Sequence, residues 1–176
     1  MARPLVLGAL VLGCSASSAA PSDPPLGYEP LVALDDWQGV ERDDDPFVTD
    51  AEAVAACARP GFRVEPEQSW LEIDTTICSW VTVTGSARFG VERGQELKLE
   101  VSHFDLDAPA PTDAELRLRL GSCDAWSTTI PIPSTADLLT DEIASPCALE
   151  AGDTVWFHLR NHGQNSYQLR NLAVLR

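Results

Sequence analysis

An all-β fold, a single antiparallel β-sandwich of jelly-roll type behind a disordered acidic N-terminal tether, is what the sequence predicts. Three observations carry it. First, apolar residues alternate with polar ones with period 2: Leu97, Leu99 and Val101; Leu116, Leu118 and Leu120; Val155, Phe157 and Leu159. Such runs make strands with one face to the core and one to solvent. Second, Gly, Pro, Asp and Asn cluster between the runs, at Arg93-Gly94, 108–113, Gly121, Gly152-Asp153 and 161–165, where turns need them. Third, helical periodicity is almost absent, and about seven strands with turns between them form a sandwich rather than a layered α/β fold.

The elements follow in chain order. Arg3 precedes an apolar stretch from Leu5 to Leu12, the layout of a secretory signal too short to span as a stop-transfer helix. The stretch ends in Val11-Leu12-Gly13-Cys14. This resembles the bacterial lipobox, in which a small residue precedes an obligatory cysteine. The resemblance implies that residues 1–13 are a signal peptide removed before Cys14. It also implies that Cys14 carries a diacylglyceryl group and an N-terminal acyl chain such as palmitate, which holds the protein in a membrane. A conventional signal cut after Ala20 is the rival reading, and Pro21 disfavours it. Ser15 after the cysteine, rather than Asp, is usual in outer-membrane lipoproteins, so the expected localisation is the cell envelope, lipid-anchored in the outer membrane.

Residues 14–50 are expected to be the lipidated tether. From Ser15 to Ala56 there are 10 acidic residues and one basic residue, Arg42, a self-repelling, solvated composition. Trp37, Phe47 and Val48 are too apolar for a pure spacer and suggest a partial strap on the domain. Asp50 to Cys57 has the cap and first-turn charge of a short helix. Residues 51–176 form the sandwich domain. Besides the three strong runs, weaker strands are expected at Trp70–Ile73, Trp80–Thr84, Ser127–Ile132 and Tyr167–Leu175. Pro131 and Pro133 place the Ile130 strand at an edge.

Five cysteines leave four once Cys14 is lipidated. An even remainder in an exported chain predicts two disulfides. The favoured pairs, near in sequence, are Cys57–Cys78 and Cys123–Cys147. Without C-x₂-C spacing, a four-thiolate zinc site is disfavoured.

Charge narrows the function. With 27 Asp and Glu against 12 Lys and Arg, the net charge is −15, which repels phosphate backbones and excludes nucleic acid as a partner. No Gly-x-Ser-x-Gly, His-Glu-x-x-His or P-loop is present, so an enzyme is the less favoured reading. Five tryptophans are many for this length. Trp156 runs out of phase with Val155, Phe157 and Leu159 and so belongs to the outer face. Its neighbours His158, Asn161, His162, Asn165 and Tyr167 complete a candidate binding face, because aromatic rings cover sugar C–H faces while amides bond hydroxyls. The bland alternative is a polar network that fixes the strand ends. A metal site of His103, His158 and His162 is a weaker candidate. On one strand, His158 and His162 stand about 13 Å apart at roughly 3.3 Å per residue, unless the chain turns at Asn161-His162-Gly163. No cofactor is expected, beyond a weak candidate structural Ca²⁺ in the loop of Asp105, Asp107 and Asp113.

Two longer phrases, His103-Phe-Asp-Leu-Asp107 and Trp156 to Tyr167, look like those of uncharacterised exported lipoproteins of high-GC bacteria, a family from which no activity transfers. Similarity to jelly-roll carbohydrate-binding modules is fold-level analogy. The sequence thus predicts a lipid-anchored cell-envelope protein whose domain binds sugar or envelope polymer without catalysis. The alternatives are a structural or accessory lipoprotein that binds another envelope protein, and a histidine-based metal-binding protein.

Overall fold

Where apolar side chains alternate, the chain forms long strands, and apart from the β7–β8 hairpin across Gly121 and Ser122 those strands pair with partners far away in sequence. The computed structural model describes residues 27–48, 61–76, 78–161 and 163–176. Among these the strands are β1 (Tyr28–Pro30), β2 (Gln38–Gly39), β3 (Phe62–Glu65), β4 (Trp70–Asp74), β5 (Trp80–Ser86) and β6 (Glu96–His103). They continue as β7 (Thr112–Leu120), β8 (Cys123–Ile132), β9 (Asp137–Ala144), β10 (Thr154–Arg160) and β11 (Ser166–Leu175). The helical turn expected over 50–57 lies outside the described residues.

Two antiparallel sheets result. The first runs β3-β4-β11-β6-β9, with β1 also paired to β11, and the second runs β2-β5-β10-β7-β8. The inner orders, β4-β11-β6-β9 and β5-β10-β7-β8, are those of a jelly roll, as expected. The chain crosses between sheets at most turns, so neither sheet completes without the other. β8 is an edge strand, as Pro131 predicts. The opposite sheet ends in β9, where Asp137, Asp141 and Glu142 are exposed.

The core is the space between the sheets. Leu97, Leu99 and Val101 of β6 face it from the first sheet; Leu116, Leu118 and Leu120 of β7 and Val155, Phe157 and Leu159 of β10 face it from the second. Each is at most 1% exposed. Burying a side chain of this size contributes roughly 1.5–3 kcal/mol.

The boundary at residue 50 requires correction. Residues 27–48 of the expected tether are docked on the sandwich. β1 pairs with the end of β11 and β2 with β5. Leu31, Val32, Trp37 and Phe47 are buried. Asp35, Asp43 and Asp44 face solvent, while Asp36 and Asp45 turn inward to accept hydrogen bonds from β5; the run of charge hid the packing of the apolar residues between them. Gly85 makes the docking fit: a Cβ there would collide with Val32 Cγ1.

A disulfide joins Cys123, at the start of β8, to Cys147, in the loop before β10, as predicted. The other expected pair includes Cys57, which lies outside the described residues; Cys78 is itself disulfide-bonded.

Candidate functional site

The residues singled out in the sequence separate into two places. The first is a buried polar network where β10 turns into β11. The turn passes through Gly163 and Gln164, at φ +102° and +68°, the left-handed region that glycine adopts freely. Asn165 pins it. Its Nδ2 donates to the carbonyls of Gly163 and Asp107, and its Oδ1 accepts from the Asp107 N–H at 3.0 Å. Asn161 Nδ2 donates to Tyr167 Oη at 2.9 Å and Thr75 Oγ1 at 3.2 Å. Thr75 Oγ1 in turn donates to the Asn165 carbonyl. Asn161, Asn165 and Tyr167 are all buried, Tyr167 completely. Burial pushes the Tyr167 phenol well above its ordinary pKa, so it stays neutral as an acceptor. These three side chains answer one another and nearby backbone groups.

His103 belongs beside this network. It is buried at the end of β6, tilted against Tyr167 at 6.0 Å between ring centroids, and its Nδ1 donates to the Phe104 carbonyl. His158 stands on the outer face of the other sheet, so the two are not brought together. His162 lies outside the described residues. Among the described residues, no three His, Cys, Asp or Glu side chains are grouped as metal ligands. Asp105 Oδ1 accepts from the Ala136 N–H, and Asp107 Oδ1 from the Ala108 N–H, so both carboxylates brace loop backbone.

The second place is the outer face of the β2-β5-β10-β7-β8 sheet. Pairing registers arrange it in three rows across β5, β10, β7 and β8. One row is Trp80, Arg160, Glu115 and Thr129; the next is Thr82, His158, Arg117 and Ser127; the third is Thr84, Trp156, Arg119 and Asp124. In these rows the aromatic rings of Trp80, His158 and Trp156 all lie on β5 and β10, among Thr82, Thr84 and Arg160, and β7 and β8 contribute only charged and hydroxyl groups. Trp156 is half-buried between Thr84 and Arg119. Beside Arg117 an open depression of about 510 Å³ is lined by Glu115, Asp124, Trp126 and Ser127.

Charges on this face are matched. Glu115 pairs with Arg117 and, at 2.9 Å, with Arg160. Burial alone would raise the Glu115 carboxyl, but the Arg117 hydrogen bond and the cations around it hold it below its ordinary value. Arg119 lies 3.6 Å from Asp124. A planar guanidinium next to a carboxylate presents fixed donors and acceptors to a ligand that carries both.

The chain itself covers one end of this face. Residues 42–44 form a 3-10 turn, and Asp45 and Phe47 follow it onto β5 and β10. Trp80 Nε1 donates to Asp45 Oδ2 at 2.8 Å, and Thr82 Oγ1 donates to the same oxygen at 2.6 Å. Phe47 stacks on His158 with centroids 4.8 Å apart and planes 24° apart, while Trp80 tilts against it at 4.4 Å. Beneath them His158 is 1% exposed. Thr82 spends its single proton on Asp45, so the 2.8 Å contact between Thr82 Oγ1 and His158 Nδ1 requires the proton on Nδ1. Burial lowers the His158 pKa to about 4, against the pull of the Asp45 carboxylate, and the ring is neutral at pH 7.

Trp80, Thr82, Arg117 and Asp45 were not singled out in the sequence. The out-of-phase position of Trp80 on its strand was the available signal, but joining it to Trp156 needs the strand register.

No protein-family model matches the chain, and no curated protein matches it. Solved structures with a similar course of chain include a CBM4 module, at 14% identity and TM-score 0.47, covering 84% of this chain and 95% of that one. Another is TmCBM27, a carbohydrate-binding module studied for mannan recognition, at 8% identity and TM-score 0.47, covering 87% and 99%. A third is the arabinose-bound α-L-arabinofuranosidase MgGH51, at 14% identity and TM-score 0.46; 84% of this chain is covered, but only 24% of the enzyme.

Proposed function

We propose that this is a lipid-anchored envelope protein whose sandwich is a non-catalytic binding module for sugar polymer, with the outer face of the β2-β5-β10-β7-β8 sheet as its ligand face. One observation carries the reading. Trp156, half-buried, lies in register with Arg119 on the face that carries the paired Glu115, Arg117, Arg119 and Asp124 charges, and those of Glu115, Arg117 and Asp124 line an open depression. An indole beside paired donors and acceptors suits a ligand with an apolar ring face and a hydroxyl rim.

Titration of the purified domain with soluble polysaccharides, followed by tryptophan fluorescence, tests it. Trp156→Ala should weaken binding by at least about tenfold, the effect of losing roughly 1.4 kcal/mol of ring contact. The reading fails if no glycan binds the wild type, or if the variant binds as well as the wild type.

The anchor rests on the lipobox-like Val11-Leu12-Gly13-Cys14. Acyl chains contribute about 0.8 kcal/mol per buried methylene, and two or more hold stably. In cell fractionation, Cys14→Ser should move the protein from the membrane pellet to the soluble fraction. Retention of the variant in the pellet would overturn the anchor.

A further inference from the structure

The end of the ligand face under Asp45 and Phe47 is built like an occupied subsite. Two donors, Trp80 Nε1 and Thr82 Oγ1, converge on one carboxylate oxygen. A slot against the His158 ring holds a flat apolar ring. Arg117 and Arg160 flank that slot, across from His158 and one row along. The occupant is not woven into the sheet: Asp45 and Phe47 follow a 3-10 turn, past the end of β2. The hydrogen bonds that shape it are local, Asp45 Oδ1 accepting from the Phe47 N–H at 2.9 Å and the Asp45 carbonyl from the Val48 N–H at 3.3 Å.

We propose that residues 45–47 are an internal ligand for a subsite whose external ligand is an acidic sugar, a pyranose carrying a carboxylate, such as a uronate unit of a polymer. The carboxylate takes the place of Asp45 Oδ2 on Trp80 and Thr82, and the apolar ring face takes the place of Phe47 on His158. This deepens the module reading and rests on it. The net charge of −15 opposes a polyanion at long range. Locally Arg117, Arg119 and Arg160 balance Glu115, Asp124 and Asp45, and the face becomes net positive once Asp45 leaves. An internal occupant lowers the apparent affinity by the fraction of molecules in which the subsite is open, so removing it raises that affinity.

The experiment compares wild-type protein with Asp45→Ala/Phe47→Ala by calorimetric titration with trigalacturonate and, separately, with a neutral cello-oligosaccharide. The double variant should bind trigalacturonate roughly tenfold or more tightly than the wild type, with little change for the neutral sugar. Asp45→Asn, which keeps the shape of the segment, is the second variant and should show a smaller gain in the same direction. In the wild type, saturating trigalacturonate should speed amide hydrogen exchange at Phe47 and Val48. Equal uronate affinity in all three proteins, or unchanged exchange in the ligand-bound wild type, overturns the inference. Equal uronate affinity together with neutral-glycan binding that is lost in Trp156→Ala discards the acidic subsite and keeps the module. Absence of glycan binding in every variant removes both. An affinity for acidic peptides without one for uronates overturns the ligand class.

Discussion

Phe157→Ala should lower the unfolding free energy by about 4 kcal/mol. Phe157 is fully buried in the middle of β10, paired with Val83 on one side and Leu118 on the other. All three side chains point into the core, and the second sheet is assembled around β10. Truncation removes the transfer energy of the ring and leaves a cavity that two rigid sheets cannot close. Urea unfolding should show the loss as a fall in midpoint with little change in slope. The melting temperature should fall by roughly 10 °C, given about 2–4 °C per kcal/mol in a domain of this size. Phe157→Leu keeps most of the volume and should cost much less. A loss below about 1 kcal/mol in the alanine variant would mean that the two sheets do not meet at this residue.

The second large effect is covalent. Cys123→Ser with Cys147→Ser should cost about 3 kcal/mol, since the bridge closes a loop with a sequence separation of 24. The bridge ties the first residue of an edge strand to a loop that feeds the centre of the same sheet. Without it the Cys123 end of β8 has its ladder to β7, which already shifts register between Leu118 and Arg119, while the far end stays anchored in the core by Ile130 and Ile132. Hydrogen exchange should therefore rise first near Cys123. Equal stability of the double-serine variant and the oxidised wild type would refute this.

The parts of the fold that were legible share a physical cause. β6, β7 and β10 bury one face and expose the other, so burial writes their period into the sequence. β9 is an edge strand, exposed along most of its length apart from partly buried Leu139 and Ile143. With little to bury, Asp137–Ala144 carries no alternation and was not expected as a strand. β1 and β2 are too short for a pattern and exist because β11 and β5, far along the chain, offer them ladder bonds.

The site divides in the same way. Trp156 betrayed its face through its phase. His158 has the same phase, but it is buried because Phe47, from the N-terminal segment, lies on it; nothing near His158 in sequence announces that cover. Asn161, Asn165 and Tyr167 have the residue types of a ligand face and the positions of a buried turn. Amides that bond hydroxyls also bond backbone, and only the fold distinguishes the two uses.

Among the described residues β9 has no strand on its outer side, and that edge bears on how copies of this protein would meet. A strand with unpaired N–H and C=O groups is a template on which a second copy can add its own edge. Along β9, Asp137, Asp141 and Glu142 face solvent around exposed Leu138. An antiparallel docking of two β9 strands would bring like carboxylates together, and that repulsion guards against strand addition where molecules are crowded. The carboxylates of this strand therefore act as gatekeepers: they oppose edge-to-edge pairing of two copies at a sheet edge that is otherwise open to it.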